Sequence, residues 1–70
     1  MKMEIGQKVK VKGIRQQPIP PAAIIDQLKK NPIGTIKEFR MVDGSGIGFW
    51  VEFEENIGTW FFEEELIPIS

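Results

Sequence analysis

The sequence predicts an all-β domain in which five short strands curl into a small, partly open barrel, with one short helix inserted between strands 1 and 2. Several runs alternate apolar residues with other residues, which is the period of two that half-buried strands show. Turn-forming glycine, asparagine and aspartate residues separate these runs at short intervals, a spacing typical of compact all-β domains. Because the chain has 70 residues, we expect a single domain spanning 1–70.

The first strand is predicted at 8–12, where lysine and valine alternate strictly and both valines point inward. Three prolines within 16–21 predict an extended, polyproline-like stretch that makes no sheet hydrogen bonds. A change of period at 22–30 predicts a short helix with Pro21 near its first turn. Pro32 ends this helix, because the residue before a proline avoids helical geometry.

The second half of the chain returns to strand patterns. A strand is predicted at 33–42, but its apolar phase slips between Ile36 and Phe39, and a bulge near Lys37 and Glu38 explains the slip. The remaining predicted elements are a hairpin turn at 43–46 with Asp-Gly at its positive-φ positions, a strand at 47–54, a turn at 55–58, a strand at 59–62, a helical turn at 63–65 and a closing strand at 66–69.

The composition narrows the classes of function. The chain has no cysteine and no histidine, which removes thiol chemistry and the commonest general base and metal ligand. The acidic run at 63–65 is interpreted as a solvated turn, because three consecutive carboxylates diverge instead of meeting at one ion. The glycines at 43–48 join two strands, which is not the strand-to-helix context of a phosphate-binding loop. We therefore expect no catalytic residues, no metal and no cofactor, and the chain is predicted not to be an enzyme.

The N-terminal residues 1–12 alternate charged with apolar residues, which is unlike the apolar core of a signal peptide. No apolar run approaches the roughly 20 residues that a membrane-spanning helix needs. These features predict a chain without a transmembrane segment, located in the cytoplasm.

Charge is divided unevenly along the chain. All nine basic residues lie in 1–40 with three acids, whereas 41–70 contains seven acids and no basic residue. Either the two halves attract each other across the fold, or a local basic face steers an acidic protein partner. The acidic pI of about 5.3 argues against general affinity for nucleic acids.

The basic residues predict one candidate binding face. Lys8, Lys10 and Lys12 share the outward side of the first strand. If the strands pair as expected, the same face also includes Arg15, Lys37 and Arg40. This face is interpreted either as solvated, or as a docking site for an acidic protein, or as a nucleic-acid contact.

The aromatic residues predict a second candidate face. Pairing Glu54 with Gly58 across the turn at 55–57 fixes which side chains share a face of the sheet. The predicted pairs are Val51 with Phe61 and Phe53 with Thr59 on the inner face, and Trp50 with Phe62 and Glu52 with Trp60 on the outer face. Trp50, Trp60 and Phe62 then form an outward apolar patch that needs a cover.

Three interpretations of this aromatic patch are open. The helix folds over it through Ile24, Ile25 and Leu28, or the patch binds a protein through tryptophan anchors. The third interpretation is an aromatic cage for a cationic or methylated side chain.

Several motifs carry a resemblance to known families. The framework IGQKVKV at 5–11, IGTI at 33–36 and VEF at 51–53, with Phe61 followed five residues later by Leu66, resembles the SH3-like barrels of oxygenic photosynthesis. These are the E subunit of photosystem I, the variable chain of ferredoxin–thioredoxin reductase and the S subunit of the photosynthetic NADH-dehydrogenase-like complex. The segments at 39–46 and 59–66 more closely resemble an uncharacterised small barrel family of cyanobacteria and plastids.

This resemblance implies an SH3-like barrel and a non-catalytic protein–protein interaction module, an accessory or regulatory subunit associated with photosynthetic electron transport. It also implies a protein partner, either ferredoxin or a thylakoid complex, and a peripheral position at the thylakoid surface. Two rival functions are nucleic-acid binding by an SH3-like domain and a purely structural subunit with no separate ligand.

Overall fold

The computed structural model describes residues 3–14, 20–42 and 46–69. Arg15, residues 16–19 of the expected polyproline-like stretch at 16–21, and residues 43–45 of the expected hairpin turn at 43–46 lie outside this part of the chain. The described elements are β1 (Lys8–Val11), α1 (Ala22–Lys30), β2 (Ile33–Val42), β3 (Gly46–Glu52), a 3₁₀ turn (Glu54–Asn56), β4 (Gly58–Phe62), a second 3₁₀ turn (Glu63–Glu65) and β5 (Leu66–Ile69).

The five strands form one antiparallel sheet in the order β4-β3-β2-β1-β5. The first and last strands are therefore neighbours. The edge strands β4 and β5 are joined only by Glu63–Glu65, so the sheet curls into a small barrel. The predicted fold class is confirmed: the chain is mainly β, an SH3-like five-stranded barrel with α1 inserted between β1 and β2. The radius of gyration is 11.1 Å.

The inner face of the sheet forms a single core. Phe53 and Phe61 lie edge to face in it, with ring centroids 6.1 Å apart and planes at 83°. Burying each such side chain contributes about 1.5–3 kcal/mol. The buried hydrophobic residues are Val9, Val11, Ile24, Ile36, Phe49, Val51, Phe53, Phe61 and Leu66.

The helix α1 has the predicted bounds and packs against the barrel core. The carbonyl of Pro21 accepts the backbone N–H of Ile24 at 2.9 Å, and the N–H of Asn31 donates to the carbonyl of Gln27 at 2.7 Å. Ile24 is 3% exposed and belongs to the barrel core, and Leu28 packs against the same core. Gln27 is also buried, which the apolar pattern does not predict, and its side-chain amide donates to the carbonyl of Asn31 at 3.2 Å.

The predicted bulge in β2 is confirmed. Ile36 lies opposite Val51, but the next pair is Glu38 with Trp50, so Lys37 is the extra residue. The bulge moves Phe39 onto the inner face, opposite Phe49.

The pairing of β3 with β4 differs from the predicted register. Glu52 lies opposite Gly58, whereas the sequence predicted Glu54 at that position. The turn occurs one residue earlier, because Glu55 and Asn56 adopt left-handed backbone conformations with φ of 59° and 61°. Shifting a turn by one residue changes the register by two, so each side chain keeps its predicted face.

This register change replaces every predicted cross-strand pair of the two strands. The observed pairs are Gly48 with Phe62, Phe49 with Phe61, Trp50 with Trp60, Val51 with Thr59 and Glu52 with Gly58. The predicted pairs of Trp50 with Phe62, Glu52 with Trp60, Val51 with Phe61 and Phe53 with Thr59 are therefore wrong.

Candidate protein-interaction surfaces

The two tryptophans form an edge-to-face pair on the outer face of the sheet. Trp50 on β3 lies directly opposite Trp60 on β4, with ring centroids 5.4 Å apart and planes at 76°. The guanidinium carbon of Arg40 lies 5.0 Å from the centroid of the Trp60 ring, within the range of a cation–π contact. Trp50, Trp60 and Phe62 are each half-buried. These three residues and Arg40 are called the aromatic cluster below.

Gly58 fixes the position of the Trp50 ring. A methyl group added at Gly58 would lie 2.8 Å from Nε1 of Trp50 and 3.0 Å from the carbonyl oxygen of Val51. The indole therefore lies directly over the backbone of β4, in space that a side chain would occupy. Trp50 is therefore packed against the Trp60 ring and the Gly58 backbone within the chain itself.

The helix does not cover the aromatic cluster. Its buried residue Ile24 packs into the core on the inner side of the barrel, and Leu28 packs against that core. The interpretation in which Ile24, Ile25 and Leu28 fold over the tryptophans is therefore wrong. The cage interpretation predicts a cationic group from a ligand at this patch. The cation that lies over the Trp60 ring is instead the guanidinium group of Arg40, from the same chain.

The lysine face, defined as Lys8, Lys10 and Lys12, is exposed along the outer side of β1 and just beyond it. Lys10 lies between two isoleucines of the neighbouring strands, Ile33 and Ile67. These isoleucines are 39% and 41% exposed. The face is thus amphipathic, and this mixture of exposed aliphatic and cationic groups was not predicted from the sequence.

The other predicted basic residues are distributed differently. Lys37 lies at the bulge and lines a polar depression together with Lys8, which connects it to the lysine face. Arg40 belongs to the aromatic cluster, farther along β2. Arg15 lies outside the described residues. Lys37 therefore lies next to the lysine face, and Arg40 lies in the aromatic cluster.

Two ion pairs connect the basic and acidic halves of the chain. The Nζ atom of Lys30 lies 3.6 Å from Oε2 of Glu54, and that of Lys37 lies 4.0 Å from Oε1 of Glu52. All four side chains are substantially exposed, so each pair contributes at most about 1 kcal/mol. Within the described ranges, Lys8, Lys10 and Lys12 take part in no ion pair.

The acidic run at 63–65 differs from its predicted state. Glu63 and Glu64 are exposed, but Glu65 is fully buried. Its Oε1 atom accepts the backbone N–H of Phe62 at 2.7 Å, so the carboxylate caps its own 3₁₀ turn. The interpretation of all three as solvated is wrong for Glu65. In the described part of the chain, no three acidic side chains converge as a metal site would require.

An apolar groove, absent from the sequence-based expectations, lies at the far end of β2 and β3. Its volume is about 670 Å³, and the acidic residues Glu4 and Glu63 stand at its margin. Its apolar lining consists of Met3, Ile5, Phe39, Ile47 and Phe49. The phase slip that predicts the bulge in β2 is the sequence signal that points to this groove, because the bulge turns Phe39 to the inner face beyond the end of the core.

No helix in the described ranges is both long enough and apolar enough to span a bilayer.

Comparisons with known proteins agree on one family. The family described as "Cytochrome b6f, subunit Tsr0524-like" matches residues 5–67. An uncharacterised protein of Porphyra purpurea, ORF65, is 32% identical over 68 residues, which cover 97% of this chain and 98% of that protein. A solved structure, the solution structure of the cyanobacterial cytochrome b6f complex subunit PetP, is 41% identical with a TM-score of 0.75. The match covers 97% of this chain and 81% of that one.

These findings support the closer of the two resemblances. They do not confirm the likeness to the E subunit of photosystem I, the ferredoxin–thioredoxin reductase variable chain or the S subunit of the NADH-dehydrogenase-like complex. They also give no support to ferredoxin as a partner. With 63 of its 70 residues matched, the chain belongs to the Tsr0524-like family of cytochrome b6f subunits.

Proposed function

We propose that this chain is a non-catalytic accessory subunit that binds a cytochrome b6f complex at the thylakoid surface through protein–protein contacts. The observation that carries the proposal is the family match over residues 5–67. The solved structure that is 41% identical to this chain is that of a cytochrome b6f complex subunit, which supports the same partner.

The aromatic cluster provides the first contact. Tryptophan and arginine are the side chains most enriched among residues that dominate binding energy at interfaces. Because Trp50 is held between the Trp60 ring and the Gly58 backbone, its binding costs little side-chain entropy. The cluster remains partly accessible, so a partner can bury the rest of its apolar surface.

The lysine face provides the second contact, on the same outer side of the sheet. Its cationic groups attract an acidic partner surface and accelerate association. The exposed Ile33 and Ile67 beside Lys10 add apolar area to an otherwise charged patch. Basic and apolar groups side by side favour a protein partner over a bare phosphate backbone.

Equilibrium binding to a cytochrome b6f complex, purified from a cyanobacterium in mild detergent, tests the proposal. The wild-type chain is expected to bind, and Trp60→Ala is expected to weaken binding by about tenfold or more. Arg40→Ala removes one positive charge from the aromatic cluster, and Lys29→Ala removes one from the exposed helix surface. Only the first of these two charge changes is expected to weaken binding.

Two results would contradict the proposal. If the wild-type chain fails to bind the complex, the proposed partner is wrong. If the chain binds but Trp60→Ala and Arg40→Ala behave like Lys29→Ala, the outer face is not the contact surface. Ferredoxin in place of the complex is expected to give no binding.

A further inference from the structure

The apolar groove exists because β2 is longer than its neighbour. β1 pairs with β2 only over Ile33–Thr35, and the preceding backbone at 6–7 reaches Ile36. Beyond the bulge, β2 pairs only with β3, and β3 in turn pairs with β4 as far as Gly48. Among the described residues, no strand pairs with the other edge of this part of β2, so its inner-face residue Phe39 stays exposed.

Two of the apolar side chains that line the groove are far more exposed than is usual for large hydrophobic residues. Phe39 and Ile5, which both line the groove, are each 58% exposed. Phe49 is only 4% exposed and forms the floor, together with the half-buried Ile47. The groove therefore continues the hydrophobic core directly to the surface. An exposed apolar concavity of this kind is typical of an interaction site.

The charged residues at the groove margin indicate which kind of ligand the groove binds. Glu4 and Glu63 line the groove, and no lysine or arginine does so among the described residues. An apolar ligand with basic neighbours is therefore complementary to it, whereas an acidic ligand is repelled. The lysine face has the opposite charge preference.

We propose that the apolar groove binds a partner segment in which an apolar side chain is flanked by lysine or arginine. This inference rests on the proposed function, because the cytochrome b6f complex is the partner expected to supply that segment. The apolar side chain occupies the space over Phe49, and the basic groups lie beside Glu4 and Glu63. The chain thus contacts its partner through two surfaces of opposite charge.

Nuclear magnetic resonance on the intact chain tests the groove with defined probes. The probe is a short amidated peptide in which leucine and phenylalanine alternate with lysine, and its control carries glutamate at each lysine. The methyl signal of Met3 reports on the groove, and the indole N–H signals of Trp50 and Trp60 report on the outer face. The basic peptide is expected to shift the Met3 signal and leave both indole signals unmoved.

Charge reversal tests the role of the acidic margin. The double variant Glu4→Lys, Glu63→Lys is expected to raise the Kd of the basic peptide by about tenfold at low salt. The double variant Glu55→Lys, Glu64→Lys is the matched control, because it makes the same change in net charge at two exposed residues that do not line the groove. Its effect is expected to stay below about twofold.

Removal of apolar area tests the same site in the complex. Phe39→Thr keeps a strand-favouring residue and is expected to weaken binding to the cytochrome b6f complex by about tenfold. Met41→Thr is the control, since Met41 is 73% exposed on the same strand but does not line the groove. Thermal melting of both variants checks that the fold is retained.

The outcomes separate this inference from the proposed function. If the wild-type chain binds the complex and Phe39→Thr binds as tightly as Met41→Thr, the groove inference is overturned and the proposed function stands. Equal binding of the basic and acidic peptides, or shifts confined to the indole signals, also overturns it. If the chain does not bind the complex but the basic peptide shifts Met3, the groove is a site and the proposed partner is wrong.

Discussion

Trp50 and Trp60 lie directly opposite each other on β3 and β4, edge to face, with ring centroids 5.4 Å apart. This pair exists because the preceding turn begins one residue earlier than the sequence pattern predicts. It concentrates two large aromatic side chains on the outer face of a small barrel. The pair is the centre of the aromatic cluster and of the proposed contact surface.

The tryptophan pair is expected to stabilise the fold cooperatively. A double-mutant cycle with Trp50→Leu and Trp60→Leu, measured by urea unfolding, should give a coupling energy of about 0.5–1.5 kcal/mol. A cycle of Trp50→Leu with Met41→Thr is the control, because Met41 lies on the opposite face of the sheet. That coupling should stay within about 0.5 kcal/mol. Equal couplings in the two cycles would contradict the observed pairing.

Gly58→Ala is expected to destabilise the chain by about 1–3 kcal/mol. The new methyl group would meet Nε1 of Trp50 at 2.8 Å and a backbone carbonyl at 3.0 Å. The carbonyl cannot move without disturbing the sheet, so the indole is displaced. Thermal or urea unfolding measures the loss, and fluorescence of the tryptophans reports the displacement.

Gly13→Ala is the matched control for that substitution. Among the described residues, nothing lies within 4 Å of a methyl group added at Gly13, so the free energy of unfolding should change by less than about 0.5 kcal/mol. If Gly58→Ala is as mild as Gly13→Ala, Trp50 does not lie against the Gly58 backbone.

Glu65→Ala is expected to cost about 1–3 kcal/mol of stability, because a partly buried N–H group loses its acceptor. The lost bond is the one from the backbone of Phe62 to Oε1, at 2.7 Å. Glu64→Ala, an exposed neighbour on the same turn, should change stability by less than about 0.5 kcal/mol. Urea unfolding of the two variants decides between a capping role and a solvated one.

Binding through the lysine face should depend on salt and on the sign of its charge. Lys8→Glu with Lys10→Glu should weaken binding to the cytochrome b6f complex severalfold at low salt. The difference from wild type should shrink near 1 M salt, where the screening length falls to about 3 Å. The double variant Lys29→Glu, Lys30→Glu is the control, because it makes the same change in net charge on the helix instead of on the lysine face. If both doubles weaken binding equally, the effect comes from net charge and not from the lysine face.

Most of the secondary structure followed from local patterns. Strict alternation located the valines of β1 inside, and Pro21 with Pro32 set the bounds of α1. The phase slip between Ile36 and Phe39 located the bulge, because only an extra residue moves a side chain to the other face. These features depend on residues close together in the chain.

Other features depended on packing between distant segments. Glu65 belongs to an acidic run, and only the return of the chain past β1 buries it, where its carbonyl accepts the N–H of Lys12 at 2.8 Å. Phe39 has a core-like pattern but stays exposed, because within the described residues only β3 pairs with that end of β2 and its other edge has no partner strand. Neither fact is visible in the local sequence.

The sequence alone determined which face of each strand is apolar, because side-chain direction alternates with a fixed period of two along any strand. It therefore separated the core from the tryptophans, even with an incorrect register between β3 and β4. Only the tertiary structure decided which residues meet across strands, what the helix covers and which apolar side chains remain uncovered. Those outcomes depend on turn conformation and on the relative lengths of neighbouring strands, which act between segments far apart in the chain.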